Sequence, residues 1–293
     1  MARIKKATGK MRFPDISTDA FMAETDKMAL EALKKVPVFP VVLRKFHEMG
    51  LDRWLYCWNM AQAVRCGPKQ FKTLHEILRE SCEILDMPEP ELYVTNNPFP
   101  NAWTGGVERP YITLRSSIVD SFTDEMLFDL IGHELGHIKA GHVLYSTVGR
   151  VLIEILGALG RYTFGVADLA AMALVVAFYE WSRQAELTCD RAGLITCQSF
   201  DTAATAMLRL TAGSTRFNEE MSVEAFLDQA RMYQDMSASD EVGKLLIFLF
   251  YGAYATHPYP VLRMQELEKW YVSGAYDKIM KGDYAKVAAK SSA

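Results

Sequence analysis

The chain has 293 residues, half of them hydrophobic, enough to bury a sizeable core in one large domain with elaborations or in two small ones. A net charge of −4, with acids and bases interspersed, offers no basic surface, so no nucleic-acid partner is expected. Cys57, Cys66, Cys82, Cys189 and Cys197 are an odd number without Cys-x-x-Cys spacing, which fits a reducing compartment better than a disulfide framework.

Met1 to Pro14 is basic but lacks the apolar run of a secretory signal, so a cytoplasmic location is expected, and the first twenty residues read as a loose arm. Thr25 to Lys35 has helical spacing in Met28, Leu30 and Leu33 and stops before Pro37. Trp54, Tyr56 and Trp58 read as a packing cluster, Cys57, Cys66 and Cys82 as buried thiols, and the methionines as core filler. Phe71 to Met87 is a clearer helix, with Leu74, Ile77, Leu78, Cys82 and Leu85 on one side and Pro88 and Pro90 past its end.

The texture then changes. Glu91–Thr95 and Tyr111–Leu114 are short β-like runs separated by the Asn-, Pro- and Gly-rich stretch Asn96–Pro110. Thr123 or Asp124 caps a new helix whose first turn holds Asp124 and Glu125, where the helix dipole favours acids. Met126, Leu127, Leu130, Ile131 and Ile138 follow at helical spacing.

From Val143 onward the pattern is almost entirely helical. Val143 to Tyr179 is strongly apolar, yet Arg150, Glu154, Arg161 and Asp168 interrupt it, and the uncharged run Leu169–Tyr179 falls short of the roughly 18–20 residues that span a bilayer. Leu245 to Leu262 is broken by Gly252, His257, Pro258 and Pro260. Core helices are the reading for both, with peripheral membrane association of an amphipathic hairpin as the second. The fold class is therefore α+β and mainly helical, with a small β-sheet before the helix that carries the chemistry. The chain divides into an N-terminal helical region, 1–90, and a core, 91–293, with a helical hairpin insertion at about 143–180.

The chemistry lies in His133-Glu134-Leu135-Gly136-His137. On a helix, positions i and i+4 share a face, so both imidazoles can reach one metal, and the Glu134 carboxylate can take a proton from a metal-bound water. Neutral imidazoles suit zinc, and a catalytic zinc keeps three protein ligands and one open position. A metzincin would place a histidine at position 143 and a glycine at 140, where this chain has Val143 and Ala140. His142 reads instead as a structural or surface residue near the helix end. Glu186 is the strongest third ligand, on a second helix whose Asp190 shares its face and can orient a ligand histidine.

His133 to His137, the Glu186/Asp190 pair, and Thr256-His257-Pro258 with Arg263 together resemble the HtpX, Oma and CAAX prenyl protease group of gluzincin zinc metallopeptidases. The resemblance covers roughly Glu91 to Tyr271 and implies a zincin-like metallopeptidase fold with one zinc per chain. It implies His133, His137 and Glu186 as ligands, Glu134 as general base, and His257 near the metal. It also implies that Asn101, Ala102, Trp103 and Thr104 form an edge strand that binds a peptide or protein substrate.

The expected activity is zinc-dependent endopeptidase hydrolysis, in proteolysis or protein quality control. Three rivals are a binding or chaperone module that keeps the fold without catalysis, a quality-control protease at a membrane surface, and a latent zymogen. Intact Glu134 argues against the first, since a binding module has no use for that carboxylate. Oligomeric state has no signature in the sequence.

Overall fold

The computed structural model describes residues 9–36, 39–149, 167–235 and 259–288. The N-terminal stretch from residue 9, expected to be loose, is tied down. Phe13 and Ile16 are buried in the main core, Ile16 bridges to Lys286, and the Ser17 N–H donates to the Ala285 carbonyl at 2.8 Å. Lys10 to Glu125, Arg12 to Glu83 and the Met11 backbone to Gln198 add polar ties to the same segment.

Helix α1 (Glu24–Lys34) carries Glu24 and Asp26 in its first turn and Lys34 in its last, as the helix dipole favours. Helices α2 (Phe39–Glu48) and α3 (Leu51–Gln62) follow. On α3 the expected aromatic cluster splits. Trp54 and Trp58, one turn apart, stack on each other at the surface, 62% and 52% exposed, while Tyr56 turns inward and donates to Glu91 Oε2 at 2.9 Å. Cys57 is exposed, whereas Cys66 and Cys82 are buried thiols. Met126, Met207 and Met264 fill the core, but Met28, Met49 and Met232 stand on the surface.

Strand β1 (Val64–Arg65) and helix α4 (Lys72–Ile84) lead into β2 (Glu91–Thr95), β3 (Ala102–Gly105) and β4 (Tyr111–Arg115). The sheet order is β1-β2-β4-β3, with β2 and β4 parallel and both outer pairs antiparallel. Strand β3, inside the stretch rich in turn residues, is thereby an edge strand, registered with Thr104 opposite Ile112. Helices α5 (Ser116–Ser121) and α6 (Asp124–Lys139) come next. Thr123 is the cap of α6, its Oγ1 accepting from the Met126 N–H at 3.3 Å.

Residues 142–149 are helical, and α7 (Ala167–Cys197) begins after residues that lie outside the description. Arg150, Glu154 and Arg161, and most of the run 245–262, fall outside it too. Among the described residues no helix is long and apolar enough to cross a membrane. Helices α8 (Phe200–Ala212), α9 (Val223–Gln234), α10 (Pro260–Val272) and α11 (Ala275–Met280) follow among the described residues.

The fold is thus mainly helical α+β, with its small sheet ahead of α6. Helices α6 and α7 pack along a seam of small residues. A β carbon on Gly132 would stand 2.5 Å from Thr196 Cβ, and one on Gly136 would stand 2.9 Å from Ala192 Cβ, so glycine is what lets the two backbones approach. The main core draws Phe13, Leu78, Leu92, Ile131, Leu194 and Leu267 together from both sides of residue 90. A second cluster sets Leu33 and Phe46 against Phe178 and Trp181, fastening α1 and α2 to α7. Each such side chain contributes about 1.5–3 kcal/mol by burial, which holds the facing surfaces of α6 and α7 in place.

Candidate metal centre

Helical spacing puts His133 and His137 on one face of α6, and Glu186 and Asp190 on one face of α7. The glycine seam brings these faces together. His133 Nε2 lies 3.5 Å from Glu186 Oε2, and His137 Nε2 lies 3.3 Å from Glu186 Oε1. Behind the first imidazole, His133 Nδ1 contacts Asp190 Oδ1 at 3.0 Å. Arg263, buried on α10, grips Asp190 with two donors, Nε to Oδ2 at 2.9 Å and Nη2 to Oδ1 at 2.5 Å. Its Nη1 also lies 3.2 Å from Glu186 Oε2.

The cluster is short of positive charge. Glu134, Glu186 and Asp190 are all buried, and among the described residues the buried guanidinium in contact with Glu186 and Asp190 is Arg263. Burial disfavours a charged His133, but hydrogen bonding and charge from Asp190 and Glu186 outweigh that and raise it to about 10. Burial dominates at His137 and lowers it. Asp190 is held low despite its burial, chiefly by Arg263 and then by His133.

A divalent cation would make up the missing charge, and the donors fit one. A tetrahedral site with bonds of about 2.0–2.1 Å has edges of roughly 3.4 Å, close to the 3.3 and 3.5 Å between the imidazole nitrogens and the carboxylate. Cys189 also has its sulfur within 4.8 Å of both imidazoles. Its sulfur lies 3.6 Å from His142 Nδ1, and burial first, then the neighbouring carboxylates, raise its thiol well above the ordinary range. The Glu186 carboxylate suits the third place better.

Two cavities meet over these groups. One, of about 240 Å³, is lined by Trp103, Thr104, His137, Ser146, Phe178 and Ser182. The other, of about 350 Å³, is lined by Phe122, Asp129, Leu130, His133, Met207 and Tyr259. Asn101, Ala102, Glu134 and Glu186 border both, so β3 runs along the cleft. Asn101, Ala102, Trp103 and Thr104 therefore come together with His133, Glu134, His137, Glu186 and Asp190. His257 lies outside the described residues.

Three features escaped the sequence reading. The Thr104 side chain donates to the Glu134 carboxylate, so this residue offers more than backbone. Arg263, which the sequence offered only as part of the resemblance, is the clamp on Asp190; its place one turn before Leu267 on α10 was the available signal. His142, read as a structural or surface residue near the helix end, is fully buried beside His137, where the chain turns at Gly141 (φ 73°) and Leu144, Tyr145 and Val148 pack with the cluster around Trp181.

Two imidazoles from one helix, facing a carboxylate from a second over a cleft edged by a β-strand, define a metallopeptidase of the His-Glu-x-x-His class. The chain belongs to peptidase family M48, whose family model matches residues 68–271. It is similar to the plastoglobule-localized metallopeptidase 48 of Arabidopsis thaliana chloroplasts, with 31% identity over 281 residues, 95% of this chain and 80% of that protein. It is also similar to an HtpX protease homologue of Thermoplasma acidophilum, 23% identical over 273 residues, covering 80% of this chain and 86% of the relative. A second HtpX homologue, from Methanosarcina acetivorans, is 22% identical over 218 residues, covering 67% and 71%. No solved structure matches the chain. The protein is a metal-dependent peptidase acting on protein or peptide substrates.

Proposed function

We propose that the protein is a zinc endopeptidase in which His133, His137 and Glu186 hold one zinc ion, Asp190 orients His133, and Glu134 is the general base. The observation that carries this is the convergence of both Nε2 atoms on the Glu186 carboxylate while His133 Nδ1 turns back to Asp190. A zinc ion held by these three residues would supply an acidified water and a Lewis acid for the scissile carbonyl. Glu134 takes the water's proton and passes it to the leaving amine. Thr104 steadies that carboxylate through its hydroxyl. The edge strand β3 and the Asn101 before it take up an extended peptide by strand addition, which gives affinity with little sequence preference. A cavity on each side of Glu134 supports cleavage within a chain rather than at its end. On the sequence resemblance alone, His257 is assigned to hydrogen-bond the developing oxyanion, a role whose loss typically costs about 10²–10³ in turnover.

The test is metal content beside hydrolysis of an unfolded protein such as casein. Wild type should carry about one zinc per chain, and Glu186→Ala should lose it. Glu134→Gln should keep zinc and lose hydrolysis. Wild type that stays zinc-free after supplementation, or an active Glu134→Gln, overturns the reading.

A second reading, peripheral lipid association, is supported by the exposed, stacked pair Trp54 and Trp58, since indoles favour the membrane interface. The Arabidopsis relative's name, plastoglobule-localized, points the same way. Wild type should float with phospholipid vesicles and Trp54→Ser/Trp58→Ser should not; no flotation by wild type removes this reading.

A further inference from the structure

Behind the second imidazole stands a buried chain of polar groups. His142 Nδ1 lies 3.3 Å from His137 Nδ1. Its Nε2 is 3.0 Å from Asp26 Oδ2, a charge contact off the axis of a straight hydrogen bond. Asp26, in the first turn of α1, is itself fully buried. It accepts from Thr188 Oγ1 at Oδ2, at 2.6 Å, and from Trp181 Nε1 at Oδ1, at 3.2 Å.

We propose that Asp26 and His142 are positioning residues that set the tautomer of His137, which makes helix α1 a working part of the metal centre. The inference rests on the reading of His137 as a ligand through Nε2.

Two imidazole nitrogens 3.3 Å apart share one proton. With the Nε2 lone pair of His137 turned to a metal, its own proton sits on Nδ1, and His142 must accept there. The proton of His142 is then on Nε2, the nitrogen that lies 3.0 Å from Asp26 Oδ2. The opposite pair of tautomers puts the His142 proton on Nδ1 and the His137 proton on Nε2, where it blocks ligation. An ionised carboxylate accepts only, so Asp26 attracts an N–H and repels a lone pair. It thereby selects the ligating tautomer, doing through one extra ring what Asp190 does directly for His133.

Trp181 makes the idea testable, because an indole N–H can only donate. In Asp26→Asn the amide oxygen stays with Trp181, and the amide nitrogen turns to Thr188 and His142. A donor now faces His142 Nε2, which favours the blocking tautomer. Thr188→Val loosens the same buried knot without presenting a donor, and so separates positioning from mere packing.

The experiment is long-range proton–nitrogen correlation NMR on zinc-loaded, histidine-labelled wild type, with zinc affinity of the variants by chelator competition. His142 should be protonated on Nε2 and His137 on Nδ1. Asp26→Asn should bind zinc about 10–100-fold more weakly, and Thr188→Val should stay close to wild type. His142 protonated on Nδ1 in zinc-loaded protein overturns the proposal while leaving the metal centre intact, as does wild-type affinity in Asp26→Asn. Should Asp26→Asn fail to fold, the wild-type spectrum decides. Wild type that binds no zinc overturns the metal-centre reading and this inference with it.

Discussion

The Thr104 hydroxyl on the edge strand donates to the Glu134 carboxylate on α6, and it also lies 3.3 Å from the Glu134 backbone carbonyl. One side chain thus ties the strand beside the cleft to the proposed general base. Thr104→Val keeps the shape and removes the donor. We expect kcat to fall about tenfold, equivalent to about 1.4 kcal/mol of barrier, with zinc content and KM little changed. Unchanged kcat would show that Glu134 needs no such support.

Arg263 bridges α10 to the α7 carboxylates, and its removal leaves Asp190 and Glu186 buried without a compensating guanidinium. Arg263→Met should cost about 3–5 kcal/mol of stability, because breaking a buried pair strands the remaining charge. Arg263→Lys should recover only part of this, since a point charge cannot reproduce two donors on one carboxylate. Urea denaturation measures both; a loss below about 1 kcal/mol for Arg263→Met would mean that the contact behaves like a surface pair.

What the sequence made legible here is what helical periodicity encodes. His133 with His137 and Glu186 with Asp190 are each one turn apart, so each pair shares a face in any helix. Strands β2 and β4 and the Thr123 cap were equally local signals. The links between elements were not local. Asp26 reaches His142 across more than a hundred residues, and Arg263 reaches Asp190 across seventy-three. The direction of the Thr104 side chain depends on β3 pairing with β4, inside a stretch whose composition reads as turn. Trp54 and Trp58 misled because an i, i+4 aromatic pair stacks equally well on an outer or an inner helix face.

Gly132 lies in the α6–α7 seam, where an added β carbon would meet Thr196 Cβ at 2.5 Å. On helix propensity alone Gly132→Ala would stabilise by roughly 0.5–1 kcal/mol. Forcing a methyl into a closed seam costs typically about 1–3 kcal/mol, so packing should win and the variant should melt lower. It should also bind zinc more weakly, because the two helices carry different ligands. Thr196→Gly in the same background should restore zinc affinity by making room. A Gly132→Ala protein that melts higher would mean that the seam is loose.

Asp129 stands one turn before His133 on α6 and is half-buried in the cleft wall. Burial first, and the Asp190 carboxylate second, push it up to about 7 from an ordinary value of 3.8, against the pull of His133 and Arg263. Between those values the folded chain keeps a proton that the unfolded chain has released. The group's contribution to stability is therefore greatest below the unfolded value, declines as pH rises through this window, and reaches its floor above about 7. Asp129→Asn has no carboxylate to ionise, so it should lose less stability than wild type as pH rises across the same range. Other titrating groups cancel in the difference between the two proteins. Urea denaturation of chelator-treated protein is the measurement, because a nearby cation would favour the ionised carboxylate and mask the effect. Parallel pH profiles for the two proteins would show that Asp129 is ionised throughout and that solvent in the cleft screens it from Asp190.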